Sequence, residues 1–143
     1  QYVVNKGDFR NTGVEFEFTN NVNNNWQYNL GLGYSNPEIY DKSLSKPKWT
    51  QDSGRIDLAA GVTYSKDKWM SNLTFKYLGD REDYNKRQVP ERMRLTWNTS
   101  YDLTANDNIM VTMNNLLDKK NYANRYSNLD LPFNWRVMYT HTF

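Results

Sequence analysis

Cysteine is absent from this 143-residue chain, so no disulfide braces it and no thiolate is available as nucleophile or metal ligand. That absence suits an oxidising envelope compartment and a reducing cytosol equally. Histidine occurs once, as His141, which excludes His-rich metal-ligand spacings. No run of about 18 apolar residues exists, so no transmembrane helix is expected. Neither sign of charge is in excess: 18 Lys and Arg stand against 16 Asp and Glu. The basic residues form no stripe, so nucleic acid is not an expected partner. Mean hydropathy is −0.94, which as an average describes a water-soluble chain. Aromatics, by contrast, are plentiful at 15%, with 11 tyrosines among them.

An average conceals alternation. From Trp26 to Tyr34 every second residue is large and apolar (Trp26, Tyr28, Leu30, Leu32, Tyr34). Gln27, Asn29, Gly31, Gly33 and Ser35 lie between them. Period 2 marks a β-strand with one apolar face, and such alternation cancels in any hydropathy window. Aromatics bracket this strand and leucines fill its middle. That order suits a strand crossing a bilayer, with Trp and Tyr at the interfaces and Leu in hydrocarbon. Eight residues at about 3.3 Å each span roughly 26 Å, which with a tilt near 40° covers most of the apolar band of an outer-membrane barrel.

Seven strands are expected, after a strand-like stub at residues 1–5. They cover residues 13–19, 26–34, 55–65, 69–77, 92–101, 108–116 and 133–143. Their apolar sets include Val14, Phe16 and Phe18; Ile56, Leu58, Val62 and Tyr64; Leu73, Phe75 and Tyr77; Met93, Leu95 and Trp97; and Trp135, Val137 and Tyr139. The sixth strand is less regular, because Met110 falls on the polar side and Asn115 breaks the pattern. Connections alternate between short (20–25, 66–67, 103–107) and long (36–54, 79–91, 118–131). Up-and-down membrane barrels show this asymmetry, with short periplasmic turns and longer outer loops, which places Phe143 at the periplasmic rim. Glu15, Glu17, Arg55, Asp57, Lys76, Arg92, Arg94 and Arg136 all fall opposite the apolar face, and are therefore expected in the lumen. A soluble barrel with an apolar interior would segregate charge as well. Aromatics at both strand ends are what favour lipid.

Three segments carry a family resemblance. Gly13-Val14-Glu15-Phe16-Glu17 resembles a strand start of the TonB-dependent outer-membrane receptors. Asn115-Leu116-Leu117-Asp118-Lys119 with Tyr122 resembles their Asn-Leu-Phe-Asp-Lys…Tyr signature, with Leu117 replacing the usual Phe. Tyr139-Thr140-His141-Thr142-Phe143 resembles the closing-strand signal read by the barrel-assembly machinery, with Tyr139 and Phe143 its aromatic positions. His141 stands where an aromatic is common.

The resemblance implies that residues 1–143 are the C-terminal portion of a 22-stranded barrel in the outer membrane of a Gram-negative-type envelope. It further implies a lipid-embedded, non-enzymatic transport protein, plugged by an N-terminal domain and energised through TonB. Such receptors import iron-siderophores, haem or cobalamin. Neither a plug nor a TonB-contacting segment is found here, and Gln1-Tyr2-Val3-Val4 lacks an initiator Met, so a longer polypeptide is expected to precede Gln1. The lumenal charges have two readings: cross-strand pairing of Glu15, Glu17 and Asp57 with Arg55, Arg92 or Arg94, or contact with the plug. Glycines 31, 33 and 61 would let another backbone approach. Ligand contacts, if made in this chain, belong to the long loops: Tyr40 and Trp49; Arg81, Tyr84 and Arg87; Tyr122, Arg125 and Tyr126. Aromatics stack on flat ligands and Arg pairs with carboxylates. No resident cofactor is expected. Two alternatives stay open, a complete eight-stranded outer-membrane barrel and a soluble ligand-binding barrel.

Overall fold

The computed structural model describes residues 7–41, 45–46, 48–51, 54–83, 87–122 and 131–143; the stub at residues 1–5 lies outside them. The described chain is all-β, with every main-sheet pair antiparallel. The strands are β1 (Gly7–Asn21), β2 (Trp26–Asp41), β3 (Lys48–Gln51), β4 (Ile56–Lys66), β5 (Trp69–Gly79), β6 (Arg81–Glu82), β7 (Gln88–Val89), β8 (Arg92–Asp102), β9 (Asp107–Asn114) and β10 (Asn134–His141). The main sheet runs β1-β2-β4-β5-β8-β9-β10, with β3 added to the far end of β2; β6 and β7 form a separate small hairpin. The seven expected strands are thus present, in sequential order.

Two strands outrun their expected ends. Alternation predicts that β2 stops near Tyr34, yet pairing continues from Asn36↔Thr12 to Asp41↔Gly7. Pro37 is tolerated there for a geometric reason. Ser35 N–H donates to the Arg55 carbonyl, so the nitrogen two residues on points the same way, into the gap between β4 and β3. No ladder bond is lost by its missing hydrogen. The predicted loop 36–54 therefore contains the end of β2 and all of β3.

Register assembles one continuous apolar face. Phe16 opposes Leu32, Leu32 opposes Leu58, Leu58 opposes Tyr77 and Tyr77 opposes Met93. Lower down, Leu73, Trp97, Met113 and Trp135 make a similar row. Nothing in the described chain covers this face. Phe16 is 55% exposed, Leu32 43% and Trp135 65%, while Val89 is the one buried hydrophobic residue among those described. The sheet is a single layer without a core. Its stability rests on ladder hydrogen bonds and cross-strand side-chain pairs, each pair worth about 0.2–1 kcal/mol.

The short reversals gather at one end. In the first, the Asn23 carboxamide accepts the Asn25 and Trp26 N–H groups at 2.8 and 3.0 Å, a local closure that asparagine supplies readily. In the second, Lys66 still pairs with Trp69, so the turn is Asp67-Lys68, one residue later than expected, and Asp67 takes the left-handed φ of 52°. The last pairs before the three turns are Asn21↔Gln27, Lys66↔Trp69 and Asp102↔Asn108. They are not level. Gln27 opposes Thr63, which opposes Asn72, three residues short of Trp69; Trp69 opposes Tyr101, one short of Asp102. The ends therefore step by four residues across four strand spacings.

Gly13 is required by close approach. A Cβ there would overlap the Tyr34 carbonyl oxygen on the paired strand. Gly13→Ala is expected to cost about 1–3 kcal/mol as overpacking, and Thr12→Ala at the neighbouring exposed position under about 0.5 kcal/mol. Chemical unfolding measures both.

Candidate functional site

All three long connections emerge at one end of the sheet, and a polar chain of contacts ties their bases together. Arg10 on β1 donates from Nε to Glu38 on β2 at 2.9 Å. Asn36 donates to the same carboxylate oxygen at 2.8 Å, and accepts from Arg55 Nε at 2.7 Å. Arg55 also reaches Asp80 at 3.7 Å. The Arg10 guanidinium lies 4.1 Å over the Trp49 ring, and Trp49 packs on its register partner Tyr40 at 5.4 Å. Tyr40 and Trp49 are thus strand residues in a packed end of the sheet, a correction to their placement in a loop. The cause is the extension of β2 past Pro37. Arg10, Asn36 and Glu38 were missed by sequence reasoning because alternation records only that a residue is polar.

Arg81 was expected among the ligand-facing loop residues. It is instead buried, at 8% exposure, and its Nη1 donates to the carbonyls of Pro90 and Tyr122 at 3.0 and 2.8 Å. It joins the second long connection to the third. Burial first, and the nearby Arg92 charge second, lower its pKa. Tyr122 is half-buried there. Arg87 is exposed, at the end of the small hairpin where its backbone N–H meets the Asp83 carboxylate at 3.0 Å. Tyr84, Arg125 and Tyr126 lie outside the described residues.

The quoted Asn-Leu-Leu-Asp-Lys segment proves to be the organiser of the third connection. Asn115 is buried, adopts a φ of 51°, and donates through Nδ2 to the carbonyls of Lys119 and Leu131 at 3.0 and 3.1 Å. Asp118, with φ 47°, accepts the Phe133 N–H at 2.8 Å. Asn and Asp tolerate this left-handed region better than most residues. Asn121, which carried no signal in the sequence, is fully buried. Its amide receives the Met93 N–H at 2.8 Å and donates to the Met93 carbonyl at 2.7 Å, standing in for a strand neighbour of β8.

The polar face divides by charge. Glu15, Glu17 and Asp57 lie toward β1 and β4, whereas Lys76, Arg92, Arg94 and Arg136 lie toward β5, β8 and β10. Among the described residues, no ion pair links the three carboxylates to Arg55, Arg92 or Arg94, which corrects the cross-strand pairing reading. Register explains it: Glu15 opposes Gly33 and Glu17 opposes Gly31, while Leu78 stands between Asp57 and Arg92. Arg55 turns to Asn36 and Asp80 instead. Lys76 directly opposes Arg94. Arg136 opposes Thr112 near the sheet's far edge. A cavity of about 170 Å³ is lined by Asp57, Lys76, Leu78, Arg92, Arg94 and Asn121, together with Tyr77 and Met93.

At the short-turn end, Tyr139 donates to Asp107 at 2.5 Å, and His141 Nδ1 meets the same oxygen at 2.7 Å. The His141 ring stands edge-on to Phe143 at 4.7 Å. Neither family models, curated proteins nor solved structures gave a match to this chain.

Two expectations follow from the third connection. Asn121→Ala would strip both backbone partners from Met93, at about 1–3 kcal/mol per unmade bond, and hydrogen exchange at the Met93 amide should accelerate. Glu91 accepts from Lys119 Nζ at 2.5 Å, and that hydrogen bond holds its carboxyl below the ordinary value. A depressed folded pKa means the contact stabilises above the unfolded value and is lost as pH falls through the folded one. Protection of the amides in residues 115–122, corrected for the intrinsic exchange rate, should therefore fall as pH drops below the ordinary glutamate range, and Glu91→Gln should remove that dependence.

Proposed function

We propose that this chain is the C-terminal part of the β-barrel of a TonB-dependent outer-membrane receptor. Such a protein imports a scarce nutrient chelate (iron-siderophore, haem or cobalamin) and is a transporter, not an enzyme. The observation that carries this reading is the uncovered apolar face. Trp26, Tyr64, Trp69, Tyr101 and Tyr139 rim it at the short-turn end; Tyr34 and Tyr77 stand eight residues higher on β2 and β5. Beyond Tyr34 the same face turns polar with Asn36 and Glu38, as it must where hydrocarbon ends.

The staggered turns supply an independent measure. Four residues at 3.4 Å over four spacings of 4.8 Å give a tilt of about 35° if the turns share one level. Membrane barrels tilt their strands by about 35–45°. Trp97 sits mid-band, and its indole N–H is satisfied by Ser71 Oγ at 2.7 Å, which a hydrocarbon surround requires. The outer edges of β1 and β10 have no partner among the described residues, and they are not paired with each other. Open edges cannot persist in a bilayer, so further strands are needed to close the wall, which favours a part of a larger barrel over a complete eight-stranded one. The resemblance of residues 13–17, 115–122 and 139–143 to segments of these receptors supports the family reading. The plug, TonB and the barrel-assembly machinery are the partners this reading entails.

The direct test is growth. A strain lacking the native protein should fail to use one of a ferric chelate, haem or cobalamin as sole source, and should recover with the wild-type gene only when TonB is present. Unchanged growth on all three removes the import role. The lipid-facing assignment has its own test: Leu30→Arg, midway between Trp26 and Tyr34, should cost about 2–4 kcal/mol of folding stability in bilayers, and Asn29→Arg, on the other face, much less.

A further inference from the structure

We infer that a row of methionines on the polar face, near the short-turn end, is a binding site for a soft monovalent cation, copper(I). The inference needs the sheet and its register alone and does not rest on the receptor reading. Of the five methionines in the chain, Met93 and Met113 fall on the apolar face, where they oppose Tyr77 and Trp97. The other three do not. Met70 opposes Ser100, Ser100 opposes Met110, and Met110 opposes Met138, so three thioethers share one row across β5, β8, β9 and β10. The irregularity that Met110 brings to the alternation of β9 belongs to this row. Among the described residues nothing buries it: Met70 is 52% exposed, Met138 42%, and Met110 is half-buried.

The surroundings distinguish a sulfur site from an apolar patch. The next row toward the long connections holds Asn72, Asn98 and Thr112, and the next toward the short turns holds Asp102 and Asn108. A leucine or valine would serve a purely apolar contact, yet every large residue of this row is a methionine; its other members are Ser65 and Ser100. Met110 and Met138 are direct neighbours, with Cβ atoms about 5 Å apart. Met70 lies two strand spacings from Met110, about 10 Å, and Ser100 between them is too short to fill the gap. Unbranched side chains with three rotatable bonds can lean over that gap and bring their sulfurs together. Cysteine is absent, so the thioether is the softest ligand the chain offers. Neutral thioethers select copper(I) over hard divalent ions, and they have no proton to lose before binding it.

Titration of the native full-length protein with copper(I), kept reduced by ascorbate and competed with bicinchoninate, tests this. Met110→Leu is expected to lose one bound copper(I) per chain relative to the wild type, and Met70→Leu and Met138→Leu to weaken that equivalent at least about tenfold. Met93→Leu, on the apolar face, should change neither. Leucine nearly conserves the volume of methionine, so the sheet is retained in each variant. The equivalent lost should be one that the wild type still holds at about pH 5, where protons weaken binding by cysteine or histidine ligands elsewhere in the polypeptide. Equal copper content and affinity in the wild type and Met110→Leu overturns the site, and so does release of that equivalent by acid. A segment of the polypeptide already seated on the row would give the first of these results, and equally removes the proposal. The growth test of the receptor reading is untouched by either outcome.

Discussion

An apolar sheet face with nothing of its own chain laid over it governs everything else in this molecule. In water such a face would collapse onto a second layer, since each fully buried Leu or Phe side chain is worth about 1.5–3 kcal/mol. No second layer exists among the described residues, and Val89 alone among their hydrophobic residues is buried. The fold of the described residues is therefore held by pairing rather than by a core, and the proposed reading is that hydrocarbon bathes its apolar surface. Continuous register keeps that surface whole: a one-residue slip in any strand would turn its charges into the apolar side.

Polar contacts concentrate at the two rims as a consequence. At the short-turn rim, Asp107 collects Tyr139 and His141, linking the last strand to the turn beside it. At the other rim, Arg10, Glu38, Asn36, Arg55 and Asp80 run across the strand ends, and Arg81 with Asn115 and Asn121 binds the second and third connections to each other and to β8. The middle of the apolar face carries almost no such chemistry. Trp97 and Ser71 are an exception that satisfies itself.

Strand number, order and facing were legible because period-2 alternation is a direct print of a sheet with two unlike sides. Leu30, Leu58 and Leu95 fell on one face without any knowledge of their partners. Strand ends were not legible where alternation changes character: past Tyr34 the outward positions become Asn36, Glu38 and Tyr40, which read as loop although pairing continues. Side-chain roles in the long connections were the least accessible. Arg81 looks like a solvent-facing cation in the sequence, and only the carbonyls of Pro90 and Tyr122, brought from distant segments, explain its burial. Asn121 shows the same limit, because a side chain replacing a strand neighbour leaves no periodic trace. The carboxylates failed to pair with arginines for a reason that register alone sets, with Gly31, Gly33 and Leu78 standing opposite or between them.

Depth-resolved fluorescence quenching reports most directly on what bathes the apolar face. In the native protein reconstituted with lipids brominated at different chain depths, Trp97 should be the only retained tryptophan in one variant and Trp69 in another. Contact with hydrocarbon means that Trp97 is quenched most by deep bromines and Trp69 most by those near the head groups. Indifference of both indoles to every brominated lipid would contradict a lipid-facing sheet.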